Sequence, residues 1–159
     1  MKVIFLDFDG VITTEASRWC LCAEKMELVK QIVDQTGAKI VISSSWRRNT
    51  LEKTIEKITE IGGAFIGNVP FLIPECVVGV TSRMYAFKYG DSSKHFLICR
   101  GEEISRYIDE HEEITNYVIL DDDSDMLLSQ SMNFVQTKWK LGICEADVLR
   151  AIDILKRNT

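Results

Sequence analysis

Three short polar clusters hold most of the residues in this chain that could do chemistry: Asp7-Phe8-Asp9-Gly10, Ser43-Ser44-Ser45-Trp46-Arg47 and Asp121-Asp122-Asp123-Ser124-Asp125. Each alone reads as a polar turn. Together they read as a site. Carboxylates packed side by side repel unless a cation neutralises them. Ligands that are all oxygens suit a hard ion such as Mg²⁺, which keeps several waters and binds phosphate oxygens. Acidic clusters with a hydroxyl and a guanidinium close by are what a phosphoryl group needs, because its transfer depends on positioning and charge stabilisation.

The clusters meet only if the elements before them run side by side. Each follows a short apolar run with the character of a strand buried on both faces: Val3 to Leu6, Lys39 to Ile42 and Tyr117 to Leu120. Helical spacing separates the runs. Met26, Val29, Ile32 and Val33 mark one helix, capped by Gly37. Asn49 with Glu52 resembles a capping box opening a second helix, which buries Leu51, Ile55 and Ile58 and ends at Gly62-Gly63. A third helix is expected from Gly101 to His111, with Ile104, Tyr107 and Ile108 inward. A further strand is expected from Asn133 to Thr137, then a last helix burying Val148, Leu149, Ile152 and Leu155. This alternation predicts an α/β fold with a mainly parallel sheet covered on both faces. Ligands of such sheets sit beyond the carboxyl ends of the strands, where all three clusters fall. The stretch from Gly67 to Cys99 breaks the pattern. It holds both prolines and no helical period, and Met84 to Tyr89 could pair with His95 to Cys99 around Gly90-Asp91.

The 159 residues suit one domain, with 46% apolar and 27% charged residues, as in an ordinary soluble globule. The net charge of -5 argues against a large non-specific nucleic-acid footprint, which needs a basic face, but not against a pocket for one phosphate. No signal peptide or membrane-spanning run is recognisable. Five cysteines with no C-x-x-C pair point to a reduced, cytoplasmic compartment.

At the clusters the chain resembles the haloacid dehalogenase (HAD) superfamily. Phe5-Leu6-Asp7-Phe8-Asp9-Gly10-Val11 is similar to its first motif, D-x-D-G-[TV] after an apolar strand. Ser44-Ser45-Trp46-Arg47, Arg100-Gly101-Glu102-Glu103-Ile104, Ile119-Leu120-Asp121-Asp122-Asp123 and Leu141-Gly142-Ile143 more narrowly resemble the small HAD domains of "Swiss Army Knife" RNA-repair proteins. The resemblance implies a three-layer α/β/α sandwich with a Rossmannoid sheet. Little or no cap is expected beyond a small flap at 67–99. It also implies a Mg²⁺-dependent phosphatase. Asp7 would be the nucleophile that forms an aspartyl-phosphate, and Asp9 the acid and then the base. Asp7, the main-chain carbonyl of Asp9 and an aspartate of the third cluster would hold the metal: Asp121, joined by Asp122 or Asp125. Asp123 would be a solvated bystander. Ser43, Ser44 and Ser45 compete to hold a phosphate oxygen. Counting back from Trp46-Arg47 favours Ser44, with Ser43 next to the substrate. The family's usual lysine is replaced by Arg100, with Lys94 as the alternative cation.

An open site favours a phosphate on a macromolecule such as a nucleic-acid end. The alternatives are a small metabolite or nucleotide, with the flap as lid, and a non-catalytic phosphate- or partner-binding module. On the first reading, Trp46 stacks a base and Arg47 or Arg48 holds a neighbouring phosphate. The competing reading makes Trp46 an edge-packed residue with solvated arginines. Cys20 and Cys22 with Cys76 or Cys99 do not have a standard zinc spacing and read better as buried thiols. His95 and His111 read as structural or exposed. Glu102, Glu103, Asp109, Glu110, Glu112 and Glu113 read as a solvated acidic face.

Overall fold

In the computed structural model, β1 (Lys2–Leu6) pairs on one side with β2 (Lys39–Ile42) and on the other with β6 (Asn116–Asp121), both in parallel. The description covers residues 1–65, 76–88 and 91–157, with backbone alone for 61–65, 87, 88 and 91–95. Beyond β2 lies β3 (Val77–Val80), and beyond β6 lies β7 (Phe134–Gln136). The five-stranded sheet has the order β3-β2-β1-β6-β7 and is parallel throughout. The chain winds outward from β1 through β2 to β3, then crosses to β6. The reversal falls between β1 and β6, the point where such sheets bind ligands.

The period of two in β1 assigns its side chains to two cores. Ile4 and Leu6 face a cluster built with α1 (Ala23–Thr36), α4 (Glu145–Lys156) and Ile58 of α2 (Leu51–Phe65). Val3 and Phe5 face the opposite cluster, with Ile104 and Tyr107 of α3 (Arg100–Asp109). The result is three layers. Among the described residues, no helix is long and apolar enough to cross a membrane.

Several elements differ from the sequence expectation. The helix α2 does not end at Gly62-Gly63 but runs on to Phe65. Glycine costs a helix about 1 kcal/mol without forbidding its dihedrals. Its cap is Thr50 rather than the Asn49–Glu52 box: the Thr50 hydroxyl accepts the Lys53 N–H at 3.3 Å. The strand β3 lies inside the stretch that showed no pattern. Its Gly79 interrupts the apolar run because Tyr107 crosses over it, and a Cβ there would sit 2.1 Å from the tyrosine hydroxyl. The hairpin is real with shifted bounds: β4 (Tyr85–Lys88), shorter than expected, pairs antiparallel with β5 (Asp91–Leu97), which starts and ends earlier than expected. Residues 67–75, 89 and 90 of the expected flap lie outside the described residues. A 3₁₀ helix, Leu128–Asn133, leads into β7. Leu149 is 67% exposed, because Val148, Ala151, Ile152 and Leu155 form the buried stripe of α4 and leave it on the far side. Glu103, read as solvated, is buried.

Candidate active site

The ladder of the sheet continues one residue past the strands. Asp7 N–H donates to the Leu120 carbonyl at 2.9 Å, Ser43 N–H to Leu6 at 2.9 Å, Thr81 N–H to Ile42 at 3.0 Å and Thr137 N–H to Asp121 at 3.0 Å. Four buried polar residues therefore stand in a row along the carboxyl edge. Thr81 and Thr137 escaped the sequence reading. The Thr81 hydroxyl donates to Ser43 Oγ at 3.2 Å, and the Thr137 hydroxyl to the Gly10 carbonyl at 2.7 Å. Their signal was position alone, a threonine directly after a strand.

Carboxylate oxygens of Asp7, Asp121 and Asp122 all lie within 4.8 Å of one another. Asp7 is 7% and Asp121 2% exposed. Burial raises the Asp7 carboxyl from 3.8 to about 6, opposed by the Arg100 charge and by hydrogen bonds from Ser44 and the Phe8 N–H. Burial, with the charge of Asp7 added, raises Asp121 from 3.8 to about 8. Asp7 Oδ1 is buried and has no hydrogen-bond partner among the described residues. A buried, unpartnered carboxylate oxygen among other carboxylates is what a hard cation would satisfy, so these residues fit Mg²⁺.

Asp122 reaches the group because Gly10 lets it. Gly10 has φ +72°, and a Cβ there would lie 2.4 Å from Asp122 Cγ. Asp125, the other candidate partner of Asp121, caps α3 instead. Its carboxylate accepts the Arg100 N–H at 2.9 Å, and its carbonyl accepts the Gly101 N–H at 3.1 Å. Asp123 is exposed and donates its N–H to Asp121 Oδ1 at 2.9 Å.

Asp9 is held from three sides. The Trp46 indole N–H lies 3.1 Å from each carboxylate oxygen, the Thr13 hydroxyl donates at 2.8 Å and the Ser45 hydroxyl at 3.4 Å. The Trp46 ring packs against Phe8 at 5.5 Å, with Lys57 Nζ 5.8 Å from its centroid. The tryptophan that one reading had stacking a base thus points its indole N–H at an aspartate of the first motif. The three serines diverge. Ser44 is buried beside Asp7 and accepts the Trp46 N–H at 3.2 Å, Ser43 turns to Thr81, and Ser45 turns to Asp9.

The cations separate as well. Arg100 Nε lies 3.9 Å from Asp121, and its buried Nη1 has no hydrogen-bond partner among the described residues, so a donor remains for an anion. Arg47 is not solvated. It is buried in a salt bridge with Glu103 and donates to the Ser44 carbonyl at 3.1 Å. Glu103 in turn accepts the Met84 N–H at 3.0 Å, tying the serine loop to α3 and the hairpin. Arg48 is exposed. The side chains of Lys94 and His95 lie outside the described residues.

Residues 3–148 match the family described as the HAD domain in Swiss Army Knife RNA repair proteins. The chain belongs to this HAD family. Its membership agrees with the sheet order and with the place of Asp7 at the switch point, and it brings a phosphatase-type function with it. No curated protein and no solved structure is a match. Among the described residues, Asp7, Asp121 and Asp122 are the one group of three potential ligands, so the cysteines of the HAD domain form no such group. Cys20, Cys22, Cys76 and Cys99 are half-buried rather than buried. His111 stacks on Tyr107 at 3.9 Å and bonds its carbonyl through Nδ1, a structural role.

Proposed function

We propose that this HAD domain is a Mg²⁺-dependent phosphomonoesterase. The observation that carries the reading is the unpartnered buried oxygen of Asp7, set among the oxygens of Asp121 and Asp122 and two residues from the tethered Asp9. Asp7, Asp121, Asp122 and the Asp9 carbonyl would hold the ion. When bound, it neutralises the aspartates and polarises the phosphoryl oxygens. An Asp7 oxygen attacks phosphorus, and the bond from phosphorus to the ester oxygen breaks. Asp9 delivers its proton to the departing oxygen. Asp9 then takes a proton from water, which attacks the aspartyl-phosphate and releases inorganic phosphate with Asp7 restored. Trp46 donates only, but the Thr13 and Ser45 hydroxyls can donate or accept, so Asp9 is satisfied with or without its proton. Ser44 and Arg100 Nη1 hold the equatorial oxygens.

Borohydride quenching during turnover of a phosphate ester should convert Asp7 to homoserine, detectable by mass spectrometry. No turnover and no trapped adduct across a panel of phosphomonoesters would overturn the assignment. A nucleic-acid end is our proposed substrate, supported by the family. A small-metabolite reading has one observation in its favour. A cavity of about 160 Å³ lies between Ser45, Arg83, Arg100 and Leu97 and Ile98 at the hairpin, where β4–β5 could act as a lid.

A further inference from the structure

Two tryptophans stand exposed beside the site, and the phosphatase chemistry uses neither. Trp19 and Trp139 are 41% and 48% exposed, and their rings are parallel to within 2° with centroids 5.9 Å apart. Trp139 lies in the wall of a cavity of about 510 Å³, together with Lys138, Lys140, Leu141, Thr137 and Asp122. Thr137 stands on the carboxyl edge and Asp122 belongs to the acidic group, so the cavity borders that group at Asp122.

This surface is built rather than incidental. Trp19 and Arg18 hold φ of 59° and 52°, a region that side-chain-bearing residues seldom occupy and that costs energy. A dense local network maintains it. Trp19 N–H donates to the Thr14 carbonyl at 2.8 Å, Ser17 Oγ to the Cys20 carbonyl at 2.7 Å, and the N–H groups of Thr14 and Ser17 to each other's hydroxyls. The opposite loop is locked to the catalytic turn, since Ile143 N–H donates to the Val11 carbonyl at 2.9 Å. Fixed aromatic surface next to water is unfavourable unless a ligand covers it, and a fixed platform binds without an ordering cost. The Lys140 ammonium lies 5.1 Å from the Trp139 centroid, within reach of both a ring and an anion.

We propose that Trp139, with Trp19 beside it and Lys138 and Lys140 at its rim, stacks the base of the nucleotide whose phosphate is hydrolysed. The inference rests on the phosphatase reading of the Asp7 site. An aromatic platform takes any base, because every base has a π-face, and the two lysines meet the sugar-phosphate. The overall charge of -5 fits a subsite for one nucleotide better than a long track for a strand. The base-stacking role that one reading gave Trp46 passes to two rings that stack on each other and stay about half exposed.

The test uses the full chain carrying Asp7→Asn, with Mg²⁺, in calorimetric titrations with 5′-AMP, 3′-AMP, ribose 5-phosphate and inorganic phosphate. At least one AMP isomer should bind about ten- to hundred-fold more tightly than ribose 5-phosphate, the usual gain from one stacked base. Adding Trp139→Ala should remove that advantage and leave ribose 5-phosphate binding unchanged, which also reports an intact fold. Equal affinity of the AMPs and ribose 5-phosphate in the Asp7→Asn chain would overturn the subsite and leave the phosphatase reading standing. An advantage that survives both Trp139→Ala and Trp19→Ala would place the base elsewhere, with the same consequence. If no phosphate binds and the unaltered chain turns over no ester, the phosphatase reading falls and takes the subsite with it.

Discussion

Replacing Trp46 with phenylalanine should slow only those reactions that need a proton on the leaving group. The substitution deletes one donor, the indole N–H that lies 3.1 Å from both oxygens of Asp9. A ring remains to pack on Phe8. A hydrogen bond to a charged group contributes about 1.5–3 kcal/mol, or roughly ten- to hundred-fold in any step that depends on the position of Asp9. The whole acid–base contribution sets the ceiling, at about 10²–10⁴. The assay compares kcat/KM for an alkyl phosphate and for dinitrophenyl phosphate. That ratio runs only through the first cleavage of the ester bond. An alkoxide cannot leave without a proton, whereas dinitrophenolate can. Trp46→Phe should therefore lose about ten- to hundred-fold on the alkyl ester and at most about three-fold on the aryl ester, and Asp9→Asn should show a larger split of the same kind. Equal losses on both esters would refute the positioning role. So would a loss that follows substrate size rather than the leaving group.

Asp7→Asn should reduce turnover by several orders of magnitude in a steady-state assay and abolish the borohydride adduct. Asp122→Asn should raise the Mg²⁺ concentration needed for activity about ten-fold or more, while Asp125→Ala should leave it unchanged and cost about 1 kcal/mol of stability as a lost cap of α3; metal titrations and denaturant melts separate the two. In chelator, the folded chain keeps protons on Asp7 and Asp121 up to about 6 and about 8, which the unfolded chain releases near 3.8. Stability of the metal-free protein should thus fall as pH rises from about 4 to about 8, and a thermal midpoint that climbs over this window would contradict the burial argument. Glu103→Ala leaves Arg47 buried without its partner and should cost about 3–5 kcal/mol, seen as a drop of roughly 10 °C or more in Tm.

The centre of the fold was legible because local and global signals agree there. Val3 to Leu6, Lys39 to Ile42 and Tyr117 to Leu120 are apolar runs that end on polar clusters, and they form β1, β2 and most of β6. The strand β3 was not legible, since its Gly79 makes sense only once Tyr107 arrives from a helix far along the chain. Arg47 and Glu103 each looked like surface charge. Their burial is a property of the pair, whose members are 56 positions apart. Spacing left Asp122 and Asp125 open as partners of Asp121. The close approach of Asp122 to Gly10 and the capping of α3 by Asp125 distinguish them, and both are contacts between distant segments. Trp46 was recognised as part of the site, but which way its indole points is set by packing against Phe8.

The position of β1 at the middle of the sheet also bears on how the protein is made. Its partner on one flank, β2, leaves the ribosome soon after it. Its partner on the other flank, β6, begins about seventy residues beyond Ile42. At ordinary elongation rates that interval is roughly 4–15 s, during which one edge of this buried, apolar strand is unpaired. Such an edge is a template for pairing with another chain. The nascent protein should therefore be most exposed to aggregation in this interval, and a ribosome-bound chain stalled before Asn116 should recruit chaperones that one stalled well past Thr137 does not.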